Sequence, residues 1–136
     1  MDDSLAAEWR ELGFYTHHDS ERREYRLVGS SAGLRKFVEL LRSYVRDPRN
    51  QQVSEHEHYG PWGLEVMTWP EPGIDDHAIH GPLPKLAELA DLVEHRLESA
   101  LPGQRLRIRE EFAPAAAFAL VLDVRDDEFD PGGDDW

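Results

Sequence analysis

A chain of 136 residues with 40% apolar content is long enough for one domain that buries roughly 68% of its unfolded surface. Fifteen basic against 28 acidic groups leave a net charge of −13, which excludes the basic footprint that sequence-independent binding to DNA, RNA or anionic lipid requires. Without cysteine, disulfides, thiolate metal centres and cysteine nucleophiles are excluded as well.

The opening MDDSLAAEWRELGF is acidic and lacks the apolar core of a secretory signal. Leu5, Glu8, Trp9 and Leu12 recur at helical spacing, Asp2, Asp3 and Ser4 can cap the helix, and Gly13 ends it. Phe14–His18 and Glu24–Val28, joined by the polar Asp19–Arg23, predict a hairpin. Gly29-Ser-Ser-Ala-Gly33 predicts a strand-to-helix turn and matches no phosphate-binding loop. Leu34, Phe37, Val38, Leu40, Leu41, Tyr44 and Val45 form the apolar stripe of a long helix that Asp47-Pro48 stops. Strands are predicted over Gln52–Tyr59 and Gly63–Trp69, around a Gly60-Pro61 turn. Pro70–Gly73 is a loop, Ile74–His80 a strand, and Leu83 to Leu97 a second amphipathic helix entered through Pro82 and Pro84. Gln104–Phe112 and Phe118–Val124 complete the set.

Two stretches of this pattern run in step. Gly29, Leu34, Phe37 and Leu40 lie over Gly81, Leu86, Leu89 and Leu92 at a constant spacing of 52, and Glu57-His-Tyr59 lies over Glu110-Glu-Phe112 at 53. The expected fold is α+β: an internally duplicated β-α-β-β unit (22–69 and 74–124) within a single domain, 1–125. A mostly antiparallel sheet would carry both long helices on one face, leaving the other open, and a short helix would precede it. From Asp126 the chain reads DDEFDPGGDDW, six acids without a base, so 126–136 is expected to be a mobile tail.

Candidate chemistry centres on histidine. His56 and His58, two apart on a strand, share a sheet face, and His80 falls on the same side by alternation, while His77 and Ile79 turn toward the helices. The repeat sets His56 and His58 over Arg109 and Glu111, charged residues that point away from the helices. The expected reading is a solvated or partner-facing cluster without a cofactor. The alternative is a divalent transition metal held by His56, His58 and His80 in an enzyme or a small-ligand-binding protein. Glu55 and Glu57 are the only carboxylates suggesting acid–base work, Glu55 as a partly buried one, and no complete catalytic constellation is present. Tyr59, Trp62 and Trp69 are anchor types, and with His56, His58, His80, Arg107 and Arg109 they form the candidate contact surface.

With SEHEHYGPW and its strand, Gly-turn and Leu-rich-helix units over residues 22–124, the chain resembles small acidic immunity proteins of bacterial polymorphic-toxin systems, and a related uncharacterised bacterial α+β family. The resemblance implies a non-enzymatic inhibitor that blocks a toxin, and it carries over no catalytic residue. The abundance of Arg over Lys, only Lys36 and Lys85 being lysine, fits a GC-rich bacterial source. The expected protein is therefore cytoplasmic, monomeric or homodimeric, and directed at a basic protein partner such as a nuclease toxin, with no nucleic acid and no membrane as target.

Overall fold

The computed structural model describes residues 2–133. Helix α1 spans Asp3–Leu12; the Asp2 carboxylate accepts from Leu5 N at 2.9 Å, and Gly13, at φ 98°, closes the helix in the left-handed region. Strands β1 (Tyr15–Asp19) and β2 (Glu24–Ser30) form the predicted hairpin. No loop follows β2, because Ser30 ends the strand and also caps α2 (Ser31–Arg46), its hydroxyl accepting from Gly33 N. A 3-10 turn, Pro48–Gln51, leads to β3 (His56–Tyr59) and β4 (Leu64–Thr68). The second half runs β5 (Gly73–Ile74), β6 (Ile79–Gly81), α3 (Leu83–Glu98), β7 (Arg105–Ile108) and β8 (Ala119–Arg125).

The fold is α+β, with three α-helices among the described residues. After α1, each half has the order strand, strand, helix, strand, strand, one strand more than the expected unit. The strands form two four-stranded sheets where the sequence suggested one. Their orders are β1-β2-β8-β7 and β3-β4-β6-β5. Each sheet takes one hairpin from each half of the chain. The central pairs, β2 with β8 and β4 with β6, are parallel, and the flanking pairs are antiparallel. Neither parallel pair is a simple helix crossover: β5 lies between β4 and β6 in the chain, and α2 carries the chain from β2 to the other sheet, so β2 meets β8 only after the second half has been laid down.

Leu34, Phe37, Val38 and Leu41 of α2 and Leu86, Leu89, Ala90 and Val93 of α3 are all buried, and each pair of positions keeps the spacing of 52. The stripes join Leu27, Leu120 and Leu122 of one sheet and Leu64, Val66 and Ile79 of the other in a single core. Leu40 and Leu92 sit at its rim, half-buried. Arg42 ties the helices together on the outside, its guanidinium 3.0 Å from both Glu94 and Asp91. That pairing holds the Glu94 carboxyl below its ordinary range.

The segment expected as a mobile tail carries contacts as far as it is described. Arg10 donates to both Asp130 carboxylate oxygens at 2.9 Å, the Arg125 guanidinium lies 5.5 Å from the Phe129 ring centre, and Gly132 is buried near the Ala6 carbonyl. Residues 134–136 lie outside the described residues.

Candidate functional site

The pairing register shows which side chains share the outward face of the β3-β4-β6-β5 sheet. His56 is opposite Met67, Met67 is beside His80, and His80 is opposite Gly73; in the next row His58 is opposite Glu65. Partners across a ladder point the same way, so His56, His58, Glu65, Met67 and His80 form one face while Leu64, Val66, Ile74 and Ile79 fill the core behind it. The three histidines do share a face. They do not meet, because Met67 stands between His56 and His80. The third group beside His56 and His58 is Glu65, and one donor atom from each of these three residues lies within 4.8 Å of the others. His80 belongs to a separate neighbourhood, with Nδ1 3.3 Å from Glu71 O and Nε2 3.6 Å from the Asp75 carboxylate.

The β3–β4 turn gives this face its most exposed group. Trp62 is 76% exposed and adopts φ 64°, a left-handed conformation that a bulky side chain rarely takes and that costs on the order of 1–3 kcal/mol. Its ring lies 4.2 Å from that of His58. The turn is held from below at Gly63, whose carbonyl accepts from the Tyr25 hydroxyl at 3.0 Å and lies 2.8 Å from His18 Nε2. A Cβ at position 63 would collide with Thr16 Oγ1 and the Trp9 ring, so only glycine lets β1 and α1 approach the turn this closely. The buried Tyr25 hydroxyl also accepts from Glu65 N at 3.2 Å, and burial pushes it far above the ordinary phenol range.

The start of β3 is fixed by a buried polar network. The Thr68 hydroxyl donates to Asn50 O at 2.6 Å, Asn50 Nδ2 donates to Tyr44 O at 2.8 Å, and the Tyr44 hydroxyl lies 2.8 Å from both Glu55 O and Thr68 Oγ1. Ser54, at φ 78°, turns the backbone into register, and Ser54 N donates to Thr68 O. Residues 52–55 are therefore spent on this bend, which shortens the predicted strand to four residues.

A cleft of about 550 Å³ opens beside the same hairpin, between α1 and α2. Leu12, Leu40 and Tyr59 provide its apolar lining; Glu8, Glu11 and Glu39 are exposed around it, against the single cation Lys36. Burial raises the Tyr59 phenol above its ordinary range, so it lines the cleft as a neutral group. Sequence reasoning singled out Tyr59 and missed the rest. The signal was there: Glu8 and Glu11, like Glu39 and Ser43, sit three or four residues apart on exposed helix faces that the first helix brings together.

The remaining candidates disperse. Trp69, 40% exposed, borders a shallow apolar depression with Val53, Pro82, Leu83 and Pro84, and also the cavity beside His80. Arg107 pairs with Glu110 at 3.2 Å. Arg109 lies beyond the end of β7 and donates to Ala116 O and Glu110. Glu55 and Glu57 are both exposed; Glu55, expected to be partly buried, lies just before β3, where the chain bends at Ser54. His77 is also exposed, in the β5–β6 turn beside Asp76, instead of facing the helices.

The register also corrects the repeat alignment around the histidines. Met67 on β4 and Asp123 on β8 hold equivalent places, each one residue before the partner of Gly81 or Gly29, and they pair with His56 and Arg105. His56 and His58 thus correspond to Arg105 and Arg107, at a spacing of 49, and not to Arg109 and Glu111. Both alignments point the histidines outward.

No family model, no curated protein and no solved structure matches this chain. Among the described residues, no helix is long and apolar enough to cross a membrane.

Proposed function

We propose that this chain is a non-enzymatic binding module that occludes a basic protein partner, with the α1–α2 cleft and the adjoining β3–β4 hairpin as its contact surface. The observation that carries this reading is the cleft itself: apolar side chains line it, three carboxylates surround it against one ammonium, and the chain as a whole carries −13. Complementary charge of that kind speeds capture of a basic protein. An anchor already fixed in place then slows its release, and Trp62 stands two residues beyond Gly60, a cleft-lining residue of the same turn. The resemblance to immunity proteins of polymorphic-toxin systems points the same way and suggests a toxin enzyme, such as a nuclease, as the partner.

The deciding experiment compares variants in capture of basic proteins by the untagged chain from its native cell, at low and moderate salt. A partner held by the wild type should be lost with Glu11→Lys combined with Glu39→Lys, and with Trp62→Gly, but retained by Arg107→Ala. Capture that is insensitive to salt and unchanged by the two cleft substitutions would rule out this surface.

A further inference from the structure

His56, His58 and Glu65 reach one point from the two strands of a single hairpin, and their polar contacts leave donor atoms facing that point. His56 Nδ1 lies 3.1 Å from Ser54 O. With the proton on Nδ1 donated to that carbonyl, Nε2 keeps a free lone pair. His58 Nε2 lies 3.0 Å from the Glu65 carboxylate. Its Nδ1 is buried with no hydrogen-bond partner among the described residues, so this ring makes its polar contact through Nε2. The two imidazoles stand edge to face, at 89° with centroids 5.3 Å apart.

From this geometry we infer a site for a divalent transition metal of the zinc class, with His56, His58 and Glu65 as ligands and one further position open toward solvent. Two imidazoles and one carboxylate suit zinc, cobalt or nickel, whereas calcium and magnesium favour sets made of oxygen alone. Tetrahedral zinc at about 2.0–2.2 Å from each ligand needs donor atoms about 3.3–3.6 Å apart. The three donors already lie within 4.8 Å of one another, and the His58–Glu65 separation of 3.0 Å is close to that target. Binding replaces the His58–Glu65 contact with two metal–ligand bonds and links the two strands across the hairpin.

The other candidate group, Asp75, Asp76 and His77, supports no such site. Asp75 Oδ1 already accepts from His77 N and Ala78 N at 2.8 Å, which accounts for its position as the cap of a turn.

The test is calorimetric titration of the untagged full chain with zinc chloride, paired with cobalt titration followed by visible absorption and tryptophan fluorescence. One ion per chain is expected, with a tetrahedral cobalt spectrum. Part of the tryptophan emission should be quenched, and that part should vanish in Trp62→Phe. His58→Ala should weaken zinc binding by about 100-fold, and Glu65→Gln by about tenfold or more. His56→Ala, at an exposed position where the fold is not at stake, should match the His58→Ala loss. His80→Ala and the pair Asp75→Asn with His77→Ala should leave the affinity unchanged. No saturable binding would overturn the site, as would binding that survives His56→Ala or that is lost in the Asp75–His77 variant.

Discussion

The outward faces of the two sheets have the same topology and equivalent registers, yet they differ in how their polar groups are satisfied. On the β1-β2-β8-β7 sheet, Asp123 takes the central place, 2.6 Å from Arg26 and 3.2 Å from Arg125, while Arg105 pairs with Glu24 at 2.6 Å. Val28 and Val121 are buried beside them. Arg107 and Arg109, the arginines of the candidate contact surface, are likewise paired within the chain, both with Glu110. On the β3-β4-β6-β5 sheet, Met67 stands where Asp123 does, and the groups around it are histidines that make few contacts, with an exposed Trp62 at the turn. The contrast teaches that a row of cations in a sequence says little about binding until their acids are located. The unspent chemistry lies on the histidine face and in the cleft next to it.

Substitutions can break this comparison or sharpen it. The largest effect should come from what both sheets share: Leu41→Ala, in the core between them, is expected to cost about 2–5 kcal/mol by denaturant unfolding. Leu40→Ala, at the rim, should cost less than half of that. Next comes the closed face. Asp123→Ala leaves Arg26 and Arg125 without their shared acid and should destabilise by about 3 kcal/mol, the lower end for a broken buried pair because Arg26 keeps some exposure. Met67→Ala, at the equivalent position of the other sheet, strands no charge and should cost clearly less. Thr68→Val keeps the shape but removes a hydroxyl from the buried network, at an expected cost of about 1–3 kcal/mol. The smallest shift has the opposite sign. Trp62→Gly relieves the left-handed backbone and should raise stability by up to about 1 kcal/mol while abolishing partner capture, a pairing that a purely structural tryptophan would not give.

The helices were legible because their signals are local. Asp2 and Gly13 bound α1 as caps, and the stripes from Leu34 to Val45 and from Leu83 to Leu97 fix the buried faces of α2 and α3. The strands were legible in place but not in length. Ile74–His80 reads as one alternating run, yet Asp75 accepts two backbone N–H groups and folds it into a two-strand hairpin; the Asp75-Asp76 pair was the available sign. The division into two sheets depends on where each helix returns the chain, which no local pattern encodes. At the candidate site, alternation along the strands placed His56, His58 and His80 on one face correctly. It could not supply Glu65, which reaches His58 through the cross-strand register of the hairpin, nor the cleft, which exists only because α1 packs beside α2.

The interleaved sheets also set an order of events during synthesis. In one sheet the parallel partners Val66 and Ile79 are 13 residues apart, so that ladder can close soon after residue 81 leaves the ribosome. In the other, Glu24 pairs with Ala119, 95 residues later, and β2 must wait for β8. Until then β2 carries an unpaired edge on a nascent polypeptide, and this interval leaves the chain open to association with its neighbours.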